Sequence, residues 1–148
     1  MTHWPNITYF NPYSRFDKWG DPDKMDYALI SCLDVLRKSM GTPIYVTSGY
    51  RKGDPRSHGK GIAVDVVCPE VNLIDFYLQA ERGPFSGIGI YPDWEMNGEL
   101  TGGLHLDQDT RTGRWIGLGK GKERTYLPLN QDNLLNVVYN FSNYYEYD

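Results

Sequence analysis

His58, Asp65 and His105 are the side chains of this chain whose types and settings could do chemistry together. His58 and Asp65 stand seven residues apart, with the small residues Gly59, Gly61 and Ala63 between them. The run Ile62-Ala63-Val64-Asp65-Val66-Val67 is apolar and largely β-branched apart from its aspartate, the composition of a buried strand. His58 then belongs to a tight glycine-rich loop, and Asp65 to the strand that leaves it. An ionised carboxylate in such a strand needs a charge partner or a metal. Arg51 is the candidate ion-pair partner. A neutral imidazole and a carboxylate are also ordinary Zn²⁺ ligands. His105 follows forty residues after Asp65, in Leu104-His105-Leu106-Asp107, a second alternating and strand-like segment. Three protein ligands and one open position describe a catalytic zinc site, one ion per chain, rather than a closed structural one.

Metal-assisted hydrolysis also needs a proton acceptor and charge stabilisation. Asp107 lies two residues beyond His105, so strand alternation puts both on one face. It is either the general base or the group that orients the His105 ring. Glu99, in the preceding loop, is the second candidate base, and Asp93 a more distant one. Arg51 either stabilises negative charge developing on a carbonyl or orients the Asp65 carboxylate. Tyr50 and Trp94 are candidate pocket residues for substrate, Tyr50 having a core position beside Arg51 as its alternative.

The elements that must hold these residues are readable from periodicity. Residues 1–20 form an irregular aromatic arm, which Trp4, Tyr9, Phe10, Tyr13, Phe16 and Trp19 could clamp to the domain; His3 lies within it. A helix over 23–40 starts at Asp21-Pro22 and presents Met25, Leu29, Cys32, Leu33, Leu36 and Met40; Gly41 ends it. Pro43 to Ser48 reads as a strand leading to Arg51. A second helix over 71–82 places Val71, Ile74, Leu78 and Tyr77 on one face, and Gly83-Pro84 stops it. Phe85 to Tyr91 is a further strand and residues 92–103 a loop. The His105 strand and Arg114-Trp115-Ile116 flank the turn 109–113 and read as a hairpin. A last helix covers 130–141, with Leu134, Leu135, Val138 and Phe141 apolar, and the tail after it frays. Nothing divides the chain, so residues 1–148 are read as a single domain.

These motifs resemble the zinc-peptidase superfamily that joins D-Ala-D-Ala carboxypeptidases, L-Ala-D-Glu endolysins and the hedgehog signalling domain. The resemblance is carried by Ser48-Gly49-Tyr50-Arg51, by His58, Gly61, Ala63 and Asp65 in the order H-x-x-G-x-A-x-D, and by His105. Gly87-Ile88-Gly89-Ile90-Tyr91-Pro92, the H-x-D of His105 and Asp107, and Arg114-Trp115 resemble one of its branches. About residues 23–117 are covered. The resemblance implies zinc on His58, Asp65 and His105, a substrate- or oxyanion-binding role for Arg51, and hydrolysis of an amide in peptidoglycan peptides, by a carboxypeptidase or an endopeptidase. It also implies an α+β fold, an antiparallel sheet of about four to six strands with helices mainly on one face. The chain departs from the pattern in three places. Arg56 stands where a serine is usual. Gly102 occupies the position of the acidic base, three residues before the last zinc histidine, and Gly103 that of an additional histidine in some relatives. The alternative that these absences support is a metal-binding module that has lost catalysis and serves as a virion component or in partner recognition. A domain without any metal is the third reading.

Composition narrows the field further. A net charge of −4 argues against a general polyanion or nucleic-acid binder. Lys120, Lys122 and Arg124 form a local basic loop that is either simply solvated or touches an anionic envelope polymer. The twelve Tyr and four Trp either fill half-buried positions or build an aromatic contact surface. Cys32 and Cys68 read as small core residues. The start MTHWPNITYF has no basic n-region or long apolar run, so no secretory signal or membrane insertion is expected. The expected setting is synthesis in a cytoplasm, with access to a cell wall through a phage virion or lysis-protein partners.

Overall fold

Alternation along four short strands sorts the molecule into an apolar face and a polar one. The computed structural model describes residues 2–140. Its strands are β1 (Tyr45–Ser48), β2 (Ala63–Val67), β3 (Gly87–Tyr91), β4 (Glu95–Met96), β5 (Glu99–Leu100), β6 (Gly103–Asp107), β7 (Gly113–Leu118) and β8 (Thr125–Pro128). Its α-helices are α1 (Tyr27–Met40), α2 (Leu73–Glu81) and α3 (Gln131–Asn140). Val64 and Val66, Ile88 and Ile90, Leu104 and Leu106, and Ile116 point one way and are fully buried. They share one core cluster with Leu29, Ile30, Leu33 and Leu36 of α1, Leu73, Phe76, Tyr77 and Ala80 of α2, and Val137 of α3. Burying a side chain of this kind contributes about 1.5–3 kcal/mol. The fold is α+β.

The strand order is β1-β2-β6-β3-β7-β8, a mixed six-stranded sheet. It corrects two expectations. The sheet is not purely antiparallel, because β3 and β7 run parallel. β6 and β7 are not a hairpin either: β3 lies between them, antiparallel to β6. Its outward positions Gly87 and Gly89 explain the insertion. A Cβ at Gly87 would run into the Asp107 carboxylate of β6, and one at Gly89 into the Trp115 indole of β7. With no side chain at 87 or 89, the strand lets large side chains from both neighbours lie over it.

Tertiary bonds also move element ends. Asp21 caps only a short 3₁₀ turn, Pro22–Lys24, and α1 begins afresh at its own cap, Asp26, whose side chain accepts from Leu29 N. Asp26 N donates to Gly61 O at 2.9 Å, which holds Asp26 extended and breaks the helix expected over 23–40. Gly41 does end α1, in the left-handed conformation. α2 is shorter than expected and rotated in phase. Asn72 caps it, and Leu73, Phe76, Tyr77 and Ala80 face the core, leaving Leu78 exposed. The 92–103 segment is not all loop: Asn97 and Gly98, both at positive φ, turn the small β4–β5 hairpin. Trp4, Phe10 and Trp19 of the arm are buried, with Trp4 and Phe10 edge-on to Trp19. Asp34 of α1 accepts from the backbone of Thr8 and Tyr9 and ties the arm down. Tyr9, Tyr13 and Phe16 are exposed instead. Phe141 and the expected frayed tail lie outside the described residues.

Candidate metal centre

On the polar face, one row of facing residues crosses the whole sheet: Ser48, Asp65, His105, Gly89, Trp115 and Pro128. Register alone therefore sets Asp65 beside His105. His58 comes from the 3₁₀ turn Ser57–Lys60, closed by Gly61 at φ 73. A side chain at Gly59 would strike Asp54 O and one at Gly61 would strike Lys24 O, so this loop packs backbone against backbone. The same Gly61 carbonyl receives the Asp26 amide, which ties the His58 loop to the start of α1.

The three side chains meet at one oxygen. His58 Nε2 and His105 Nδ1 each lie 3.2 Å from Asp65 Oδ1. The second nitrogen of each ring is fixed elsewhere. His58 Nδ1 is 2.7 Å from Gly49 O, and a carbonyl only accepts, so that nitrogen carries the proton. His105 Nε2 is 2.7 Å from Asp107 Oδ2 and donates to it. The remaining nitrogen of each ring therefore points at Asp65 Oδ1. Asp65 Oδ2 accepts from Arg51 Nη2 at 2.8 Å, and Arg51 Nε donates to Ser48 Oγ. His58, Asp65 and His105 could hold a metal ion: one ligand atom from each lies within 4.8 Å of the others.

The electrostatics follow from this geometry. Burial would raise the Asp65 carboxyl, but the hydrogen bonds and charge of His105 and His58 more than offset it and hold the group well below the usual carboxylate range. Burial would lower His105. Asp107 and Asp65 on its two nitrogens override that and push it up to about 9. Asp107 is lowered in turn: burial opposes, while His105 and the Asp109 amide prevail. A cation at the centre would take the place of the proton on His105 Nδ1.

The centre opens into a cleft of about 1020 Å³, lined on one side by the His58 loop and on the other by aromatic rings. Tyr91 and Trp94 stack at 4.3 Å between centroids, and Trp115 Nε1 donates to Tyr91 OH at 2.9 Å. The Trp115 ring is 5.3 Å from the His105 ring. Trp94 lines the cleft, as do Arg51 and Asp107. Tyr50 does not; it packs against the core, its amide bonded to Trp19 O. Glu99 lies exposed on the β4–β5 hairpin and borders a different cavity, with Pro43 and Glu70. The hairpin turn at Asn97-Gly98 carries it there. Asp93 binds Gly119 N through Oδ2, and its Oδ1 is the one buried side-chain polar atom left without a partner among the described residues. Arg114 turns to the opposite face and pairs with Glu81. Sequence reasoning missed Tyr91, Trp115, Arg124 and Tyr126 as cleft residues. The glycines opposite them, 89 for Trp115 and 117 for Tyr91, were the available signal.

Among the described residues, no helix is long and apolar enough to cross a membrane. A scan against protein-family models, a search of curated proteins and a search of solved structures each return no match.

Proposed function

We propose that this protein is a zinc-dependent peptidase that hydrolyses an amide bond in peptidoglycan peptides. The observation that carries the reading is the convergence of His58 Nε2, His105 Nδ1 and Asp65 Oδ1, each aimed by a partner on its far side. Two nitrogens and one oxygen suit zinc, and ligand atoms around a tetrahedral zinc stand roughly 3.3 Å apart. The two His–Asp separations of 3.2 Å match that spacing. Bound there, zinc supplies a Lewis acid for a carbonyl oxygen and a means of activating water. Gly49 O and Asp107 hold the outer protons, so that when a cation replaces the inner proton both rings can present a lone pair inward. Arg51 holds Asp65 by one oxygen and leaves the other for the cation. Its side chain is 46% exposed, so it also borders the space that a scissile carbonyl would enter. Asp107 acts on the His105 ring, since Oδ2 accepts from Nε2 and Oδ1 from Asp109 N. The motif resemblance supplies the substrate class and the setting, a phage endolysin or virion-borne lysin acting at the cell wall.

A second reading has its own observation. All four carboxylates that line the cleft are already engaged: Asp54 with Arg56 N, Asp65 with Arg51, Asp107 with His105 and Asp109 with Thr110 N. With Gly102 where relatives of the resembling superfamily carry an acid, the chain fits a metal-binding module without turnover, in a virion or on a partner protein.

Elemental analysis together with amine release from purified peptidoglycan, with and without chelator, separates the two. One zinc per chain with chelator-sensitive release is the expected result. Zinc without release from any wall type would establish the binding module. Absence of bound metal after zinc loading would remove both.

A further inference from the structure

Beyond the histidines, the cleft contains a cation mounted on an aromatic stack. Arg124 sits between β7 and β8, past the stretch that carries the motif resemblance, and lines the same cavity. Its Cζ lies 5.0 Å from the centroid of Tyr91, over the ring. Tyr91 stacks on Trp94, and its hydroxyl accepts from Trp115 Nε1. Arg124 Nε donates to Gly119 O at 3.2 Å, which fixes the stem, and its terminal nitrogens have no hydrogen-bond partner among the described residues. The ion pairs of the described residues use Arg51, Lys60, Arg114, His58 and His105 and do not use Arg124. A guanidinium seated over a ring, with no ion-pair partner among the described residues, is suited to a planar oxyanion.

We propose that Arg124 binds a carboxylate of the peptide substrate, with Tyr91 as its platform. The proposal rests on the peptidase reading only in taking the occupant to be a peptide. A carboxylate fits better than a phosphate. It is planar, matches one fork and carries a single charge, whereas a phosphate dianion would face the Asp54, Asp65, Asp107 and Asp109 carboxylates along the same cleft. The distance from the metal centre is set by rings: Arg124 on Tyr91, Tyr91 on Trp115, Trp115 beside His105. Arg124 is then a specificity residue, recognising a carboxylate displaced from the scissile bond while Arg51 serves Asp65.

The test is titration of the protein with N-acetyl-dialanine as free acid and as C-terminal amide, followed by the indole ¹H–¹⁵N NMR signals of Trp94 and Trp115. It is run zinc-saturated and again after the metal is removed by dialysis. The free acid is expected to bind about tenfold tighter than the amide in both states. Arg124→Ala should erase that preference, and Arg124→Lys should restore part of it with an otherwise unchanged spectrum. Equal binding of acid and amide by the native protein, or an undiminished preference in Arg124→Ala, would overturn the assignment. So would displacement of the acid by an equal concentration of inorganic phosphate. Hydrolysis is read separately. A carboxylate preference without peptidoglycan cleavage would sink the peptidase reading alone, and cleavage without preference would sink the Arg124 assignment alone.

Discussion

Two arginine–carboxylate pairs stand on opposite faces of the same sheet. Behind it, Arg114 Nε spans both oxygens of Glu81 at 2.9 Å, and its terminal nitrogens donate to the carbonyls of Ser86, Gly113 and Phe85. Glu81 also accepts from Tyr77 OH. Every donor of that guanidinium ends on a carboxylate or carbonyl oxygen, and the pair ties α2 to β7 and to the residues that lead into β3. In front, Asp65 gives Arg51 one oxygen and turns the other to two imidazoles that are each anchored elsewhere. A structural pair closes on itself; the Asp65 pair leaves one carboxylate oxygen and two ring nitrogens converging on one point. The contrast separates a fastening from a cluster that could hold a metal ion.

Asp65→Asn should have the largest effect, since it keeps the shape and removes the charge. Loss of stoichiometric zinc by elemental analysis, with the fold retained by near-ultraviolet circular dichroism, is expected. A full zinc complement in this variant would make the front pair as structural as the rear one. Glu81→Gln should act in the opposite sense, costing about 2 kcal/mol in urea unfolding while zinc content stays unchanged. This effect has a pH signature. Burial would raise the Glu81 carboxyl, but the Arg114 and Tyr77 hydrogen bonds hold it below its ordinary 4.5. A carboxyl lowered in the folded state contributes stability above its unfolded value and loses it as pH falls through the folded one. The gap between native protein and Glu81→Gln should therefore be full above about pH 4.5 and close below it; a gap that persists in acid would point to packing instead.

Asp107→Asn should be milder, because the amide oxygen can still accept from His105 Nε2. About tenfold weaker zinc binding is expected, with turnover following metal occupancy. Turnover abolished at full occupancy would make Asp107 the base rather than the orienter. Arg51→Lys should be smallest, changing stability by less than about 1 kcal/mol, since the native side chain is half in solvent and lysine keeps the charge without the fork. Thermal unfolding in chelator measures it, and a loss as large as that of Glu81→Gln would dissolve the contrast between the faces.

His58, Asp65 and His105 were legible in the sequence because their placement follows from local patterns. A glycine-rich turn precedes one strand, and strict alternation puts Asp65 and His105 on the polar face. The dual character of Asp65, as ion-pair partner of Arg51 and neighbour of two histidines, needed the pairing register. What the sequence hid was non-local. The hairpin expectation for β6 and β7 followed from adjacency in sequence, and Gly87 and Gly89 of β3 overrode it. The break before Asp26 depends on a carbonyl thirty-five residues away, at Gly61. Glu99 was expected to reach back along a loop, but Asn97-Gly98 turns that segment into a hairpin which carries it to another cavity. Trp115 was visible as part of a motif, but its position over His105 depends on the absent side chain of Gly89.

The placement of β3 also has a consequence for synthesis. Chains emerge from the ribosome amino end first, and β3 has both its neighbours, β6 and β7, downstream of it. Unlike β2, which can pair with β1 already made, β3 leaves the exit tunnel with Ile88 and Ile90 on one side and no strand to join. It must wait until residue 107 is out before its first edge is covered, and until 118 for its second. Through that interval the nascent chain carries an apolar, edge-exposed segment. His58 and Asp65 are likewise already made while His105, the third member of their cluster, is still untranslated. The arrival of β6 brings His105 beside Asp65 and covers the first edge of β3, while the second edge stays open until β7 follows.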